Sequence, residues 1–480
     1  MKLLYDVNEK PAFGRNLLFA VQQLLAIIAA TVLVPVLADA TGAHLSQAAA
    51  LIGAGFGTIT YLLFTKFKSP VFLGSSFAFI SPLVTAVAFG YLGIFLGALF
   101  AGLVYVVIAI IIKFVGSDWI DKLMPPVIIG PTVALIGFDL AGSAMNNLMN
   151  IAGGEAGYNL LAILVGLVTF AIVILASVKG TKTMKMFPFV LGVLGGYVLA
   201  SVFTVIGIAA DVPYMQLIDF SVFKKVADFS NWVPNLTFVG MFKENPNLTG
   251  SGVLSLFVAF APVALVTFAE HVADHKNISS IIEKDLLKDP GLDKTLLGDG
   301  VGSIVGAFFG GCPNTTYGES VGCVAITGNA SVWTIFTTAI LCIVLAFFYP
   351  FIAFVQSIPS CIVGGICIAL YGFISVSGLR MFKHVDLDNS KNLFVVAAIL
   401  IPGIGKMRLT FGEVTISNIA CGLILGILTN LILKPGKSIV TKEAVPADPN
   451  AVEEETMFGT VQVEKKEEKP ADTTPADENK

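Results

Sequence analysis

Glu319 stands in the string GCPNTTYGESVGCVAITG, residues 311–328, where a proline, glycines and a carboxylate interrupt apolar sequence. In hydrocarbon, backbone freed by Pro and Gly needs partners, and a carboxylate needs a partner or a proton. Such a segment is tolerated in a membrane only where it is buried in protein or lines a cavity, so Glu319 is the first candidate for function. A second cluster closes the string APVALVTFAEHVADH, residues 261–275. On a helix Glu270 and Asp274 share one face at i, i+4, and His271 and His275 share another. Two carboxylates on one low-dielectric face resist ionising together, which suits a carrier that couples protonation to substrate occupancy. The alternative is a helix that ends near Ala269 and leaves the cluster in water. The zinc-protease pattern needs Glu directly after the first His. Val272 stands there, so no metal site is expected.

Further polar residues carry weaker signals. Gln22, beside Gln23, and Ser76 and Ser320 are secondary candidates. Gln22 either faces a cavity or bonds across helices. Asp139 reads as structural. Tyr371, in LYGF, either lines a gate or anchors packing.

The elements that must hold these residues are membrane spans. Hydrophobic residues make up 55% and charged residues 13% of 480 residues, and mean hydropathy is +0.85; a soluble domain carries about 25% charged residues. Spanning needs about 20 apolar residues per helix. Fourteen candidate spans lie near 16–38, 46–65, 71–83, 88–112, 124–145, 159–178, 186–206, 252–273, 296–310, 313–328, 333–356, 361–378, 391–405 and 414–433. The expected organisation is an N-terminal arm, 1–15, an all-α polytopic transporter domain, 16–437, and a Glu/Lys/Pro/Thr-rich disordered tail, 438–480. With both termini in the cytoplasm, only Lys224, Lys225, Lys243, Lys406 and Arg408 of the 29 basic residues fall in outside loops. No cleavable signal is evident at the N-terminus. Six cysteines without a C-x-x-C pair read as packed thiols.

Fourteen spans divide into seven and seven, and broken segments at matching positions of inverted halves mark transporter sites. Span three contains FLGSSFAFISP, residues 72–82, and span ten contains Pro313, Asn314, paired threonines, Tyr317 and Gly318. Phe77, Phe79 and Ile80 in one, and Thr315, Thr316 and Tyr317 in the other, predict extended backbone that continues into a short helix. Half-helices of this kind present unpaired N–H groups to carbonyl oxygens or anions. Kinked packing helices that use Gly and Ser for close approach are the plainer alternative.

The strings QQLLA, ATVLVPVL, LGSSFAFISP, AEHVADH, KDLLKDPGL, PNTTYGESVGCVAIT and LYGFISVSGLR, in this order from about 11 to 435, resemble the nucleobase–ascorbate transporters. These are also called nucleobase:cation symporters, and the similarity is strongest to their bacterial uracil permeases. The resemblance implies two inverted seven-span repeats, a core domain of spans 1–4 and 8–11, a gate domain of spans 5–7 and 12–14, and short antiparallel strands in spans three and ten. It implies a plasma-membrane (inner-membrane) importer of uracil, with the proton as coupling ion and no cofactor, enzymatic activity or nucleic-acid partner; it also allows a homodimer. Carried over, Glu270 and Glu319 would bond the polar edge of a nucleobase and backbone N–H groups at Phe77 and Gly318 would meet its carbonyls. Phe77 and Tyr317 would shape the pocket, with Tyr371 on the gate side. Coupling would lie within Glu270, Asp274, Glu319 and His271. Two positions depart from the family: Ser320 stands where an Asn is usual, and Asp274 where the uracil permeases place His, with His275 one step on. The rivals are a xanthine or uric acid symporter, an anion carrier of related fold, and a receptor that binds without transport.

Overall fold

The computed structural model describes residues 3–39, 45–116, 119, 123–149, 159–243, 248–411, 414–433, 451–456 and 459–464. The chain divides into residues 1–436 and a separate tail. In the tail the structure describes an antiparallel hairpin, Ala451–Thr456 with Gly459–Glu464, where composition predicts no element; the other tail residues lie outside the described residues.

The first unit is helical. Its long elements are α1 (Phe13–Asp39), α2 (Gln47–Phe64), α3 (Ile80–Val87), α4 (Gly90–Val115), α5 (Pro126–Met149), α6 (Leu160–Val178), α7 (Pro188–Ala209), α8 (Gly250–Ile282) and α9 (Leu292–Gly310). After them come α10 (Gly318–Thr327), α11 (Val332–Ala346), α12 (Ser360–Arg380), α13 (Ser390–Ile404) and α14 (Asn418–Ile432). Eight helices among the described residues are long and apolar enough to cross a membrane, or nine if α11 and its continuation Tyr349–Gln356, bent by 78°, form one span. The molecule is a multi-pass membrane protein. In α6 and α7 only 33% of the most apolar window is buried, so most of their Leu, Val and Ile side chains face outward, as lipid contact requires.

Helix packing falls into two sets. α9 lies along α2 and α4, α11 along α2 and α1, and α8 against α4. In the other set α12 lies along α5 and α6, α6 against α7, and α13 against α14 and α5. The contact of α2 with α9 is backbone-close, because a Cβ at Gly53 would overlap the carbonyl oxygen of Gly306. Small residues let helices approach in this way where no hydrophobic effect drives them together.

Two short strands interrupt the first set. β1 (Leu73–Ser75) pairs antiparallel with β2 (Asn314–Thr316) in the register Leu73↔Thr316, Gly74↔Thr315, Ser75↔Asn314. The ladder extends one bond each way: Tyr317 N donates to Phe72 O at 3.1 Å, and Ser76 N to Pro313 O at 3.0 Å. Extended backbone was expected through Phe77, Phe79 and Ile80. Instead Phe77–Phe79 form a 3₁₀ turn and Ile80 begins α3. Pro313, opposite Ser76, has no N–H to return a bond, so the ladder stops there and the chain coils.

Candidate functional site

The strand pair is held by side chains from the surrounding helices. Thr58 of α2 donates to Leu73 O and accepts from Leu73 N, both at 3.0 Å, and so takes the outer edge of β1. Asn314 reaches back to Gly53 O at 3.0 Å. Ser320, fully buried, accepts from Gln23 Nε2 at 2.5 Å and from Phe72 N at 3.2 Å. One hydroxyl therefore ties α1, the start of β1 and α10 together, which is how this chain supports the site without an amide at position 320. Of the glutamine pair, Gln23 bonds across helices, whereas the Gln22 amide oxygen is buried with no hydrogen-bond partner among the described residues.

α8 does not end near Ala269 but continues to Ile282, so the Glu270 cluster lies inside a helix. Its two faces differ. Glu270 and Asp274 are half-buried. Asp274 accepts from Thr316 Oγ1 of β2 at 2.8 Å, and a Cβ at Gly318 would stand 3.6 Å from its other oxygen. Glu319, in the first turn of α10, is also half-buried, and Gly318 beside it is exposed. The three carboxylates are close enough for their charges to act on one another. The structure thus brings Glu270, Asp274, Glu319 and Gly318 to one place at the end of β2.

His271 and His275 face the other way and are fully buried. His271 Nδ1 lies 2.7 Å from Asp299 Oδ2 and its Nε2 3.1 Å from Thr295 Oγ1, both on α9. His275 Nδ1 donates to His271 O at 2.8 Å, and its Nε2 lies 2.6 Å from the Tyr61 hydroxyl, which also bonds Ser69. The two imidazoles stack at 4.0 Å. Neither histidine joins the carboxylates. Asp299, missed in the sequence, is a buried carboxylate inside an apolar block, the same anomaly that marks Glu319.

The aromatic candidates divide as well. Phe77 and Tyr371 meet edge to face, centroids 6.0 Å apart. The Tyr371 hydroxyl is buried with no oxygen or nitrogen partner among the described residues, beside the Cys367 thiol one turn back. Tyr317 is a wedge within the strand pair: its hydroxyl donates to Ser75 O at 2.8 Å, and its ring occupies the space a side chain at Gly74 would need. Ser76 lends its backbone N–H to the ladder. Asp139 accepts from Asn418 Nδ2 at 2.6 Å, a packing bond far along the chain from the carboxylates. All six thiols are free and buried, and no metal-binding group of His, Cys, Asp or Glu occurs among the described residues.

Residues 14–411 match a family model, Xan_ur_permease, described as "Permease family". The chain belongs to this family of nucleobase:cation symporters. It is 37% identical to the uracil permease of Bacillus caldolyticus over 440 residues, 91% of this chain and 96% of that protein. It is 34% identical to the uracil permease of Escherichia coli (strain K12) over 432 residues, 89% and 93% of the two chains. Among solved structures, the transmembrane domain of the cyanobacterial bicarbonate transporter BicA superposes with TM-score 0.57 at 15% identity, covering 89% of this chain and 100% of that one. Murine Slc26a9, an anion transporter, gives TM-score 0.60 at 11% identity, covering 88% and 69%. At such identities the likeness is one of fold. Membership in the permease family makes the protein a transporter.

Proposed function

We propose that this permease imports uracil together with protons across the plasma membrane by alternating access. The carrying observation is the convergence of Glu270, Asp274 and Glu319 on the exposed backbone at Gly318. Uracil offers two N–H donors and two C=O acceptors, and this place offers carboxylate acceptors beside the unpaired N–H groups of a helix start. Phe77 and Tyr371 supply aromatic surface for a planar ring. The uracil permeases among the relatives support the same substrate.

In this reading fourteen segments form two inverted seven-span repeats, with β1–α3 and β2–α10 as the matching broken segments. The first packing set is the core, the second is the gate, and both termini are cytoplasmic. Substrate enters between core and gate, and a rigid movement of one against the other releases it inward. A proton shared among Glu270, Asp274 and Glu319 accompanies uracil, since neutralising one carboxylate lowers the cost of bringing the remaining charge into a dry site. Uptake of labelled uracil into proteoliposomes under an imposed pH gradient tests this. Accumulation that rises with an inward proton gradient is expected; uptake that ignores the gradient, or follows sodium, overturns the coupling.

A further inference from the structure

The N-terminal arm lies against the ends of the helices that carry the site carboxylates. Leu4 N and Tyr5 N donate to Gly328 O at 2.7 and 3.3 Å, Ala330 N donates to Tyr5 O at 3.0 Å, and Val332 N donates to Val7 O at 3.0 Å. The arm so runs beside the linker that leaves α10, with Tyr5 bridged in parallel to Asn329. Ser331 Oγ adds a bond to Glu9 O at 2.6 Å. Val7 is 3% exposed and anchors the arm in the core, with Leu3 packed beside the same cluster.

The same arm holds the end of α8. Glu283 takes a left-handed conformation (φ 55°) just after the helix. Lys284 then reaches Asp6, its Nζ 2.6 and 2.8 Å from the two carboxylate oxygens. Asp6 is itself fixed by its bond from Val7 N at 2.7 Å and by the bond from Asp6 N to Glu9 Oε2 at 2.9 Å. A third attachment goes to α1, where Arg15 donates to the Tyr5 hydroxyl at 3.3 Å and Phe19 meets the Tyr5 ring at 6.1 Å.

We propose that residues 3–10 are a positioning clamp that sets the separation of Glu270 on α8 from Glu319 on α10. α10 has ten residues, about 15 Å of helix. A short helix moves as a rod, so a shift at Gly328 reaches Glu319 undiminished. The arm bonds the ends of both site helices, through backbone to one and through an ion pair to the other. The inference rests on the uracil reading only for its binding assay.

Asp6→Lys and Lys284→Asp, singly and combined, test the clamp by uracil affinity and by amide hydrogen exchange at residues 318–321. Each single change sets like charges together, and about three- to five-fold weaker uracil binding is expected from a half-exposed pair, with faster exchange at 318–321. The double charge swap is expected to restore both. Wild-type affinity and exchange in the singles, or a double variant that stays defective, overturns the clamp. Exchange needs no ligand, so a wild-type protein that ignores uracil would sink the functional reading while the clamp is still decided.

Discussion

The two faces of α8 both carry titratable side chains, with opposite results. Glu270 and Asp274 point to the strand crossing and stay half-buried, while His271 and His275 are sealed against α9 and α2. Adjacent residues on a helix lie about 100° apart, so little more than a quarter of a turn separates a half-buried carboxylate from a fully buried imidazole. What differs is the partner set. On the sealed face the titratable nitrogens have protein partners: Asp299, Thr295, the His271 carbonyl and Tyr61. On the open face Asp274 has Thr316, Glu319 bonds only backbone, and among the described residues no side chain bonds Glu270 or Glu319. Satisfied polar groups hold a fold together, and unsatisfied ones at an accessible place are available to a ligand.

The largest effect should come from the open face. Glu319→Gln and Glu270→Gln each replace a charged acceptor with a neutral one. A hydrogen bond to a charged group is worth about 1.5–3 kcal/mol, so uracil should bind roughly 10- to 100-fold more weakly. The melting midpoint without ligand should hold, and equilibrium binding with thermal unfolding of each variant checks both. Unchanged affinity in Glu319→Gln would remove it from the site.

Asp299→Asn tests the sealed face and should do the reverse. It weakens the buried bond to His271, a loss of about 1–3 kcal/mol. The melting midpoint should fall on the order of 2–6 °C, with uracil affinity within about three-fold of wild type. A large affinity loss at full stability would erase the distinction between the faces.

Asp274→Asn sharpens the open face. An amide oxygen can still accept from Thr316, so affinity should stay within about five-fold, while proton-driven accumulation should collapse toward simple equilibration. Comparing counterflow with gradient-driven uptake separates the two.

The smallest effect belongs to the clamp, remote from both faces. The hydrogen bond from Lys284 lowers the Asp6 pKa from its ordinary 3.8. A depressed carboxylate gives stability that is complete above its unfolded value and lost as pH falls through the folded one. The affinity penalty of Lys284→Asp should therefore be flat from about pH 5 to 8. Binding isotherms across that range check it.

Charge in an apolar string is a local anomaly, which is why Glu319, Glu270 and Asp274 were legible in the sequence. The two broken segments were legible from their Gly, Ser, Thr and Pro punctuation, whereas their antiparallel pairing was expected only from the family resemblance. The stop of β1 at Ser75 was not legible, because it depends on Pro313 lying opposite Ser76. The i, i+4 pairing of the histidines could be read, but not which pair faces inward. That is decided by Tyr61 and Asp299, which meet α8 only in the fold. Asp299 itself was open to the test that found Glu319.

The pairing of β1 with β2 also has an arithmetic of edges. Phe72 with Tyr317 and Ser76 with Pro313 are bonded pairs, so Leu73 and Thr316 between them turn their backbone groups outward, as alternate pairs of an antiparallel ladder do. On the β1 side Thr58 takes both groups of Leu73. On the β2 side the edge continues past Thr316 to Gly318, beside the carboxylates. If the uracil proposal holds, a flat ring whose rim alternates N–H and C=O would meet that edge much as a neighbouring strand would.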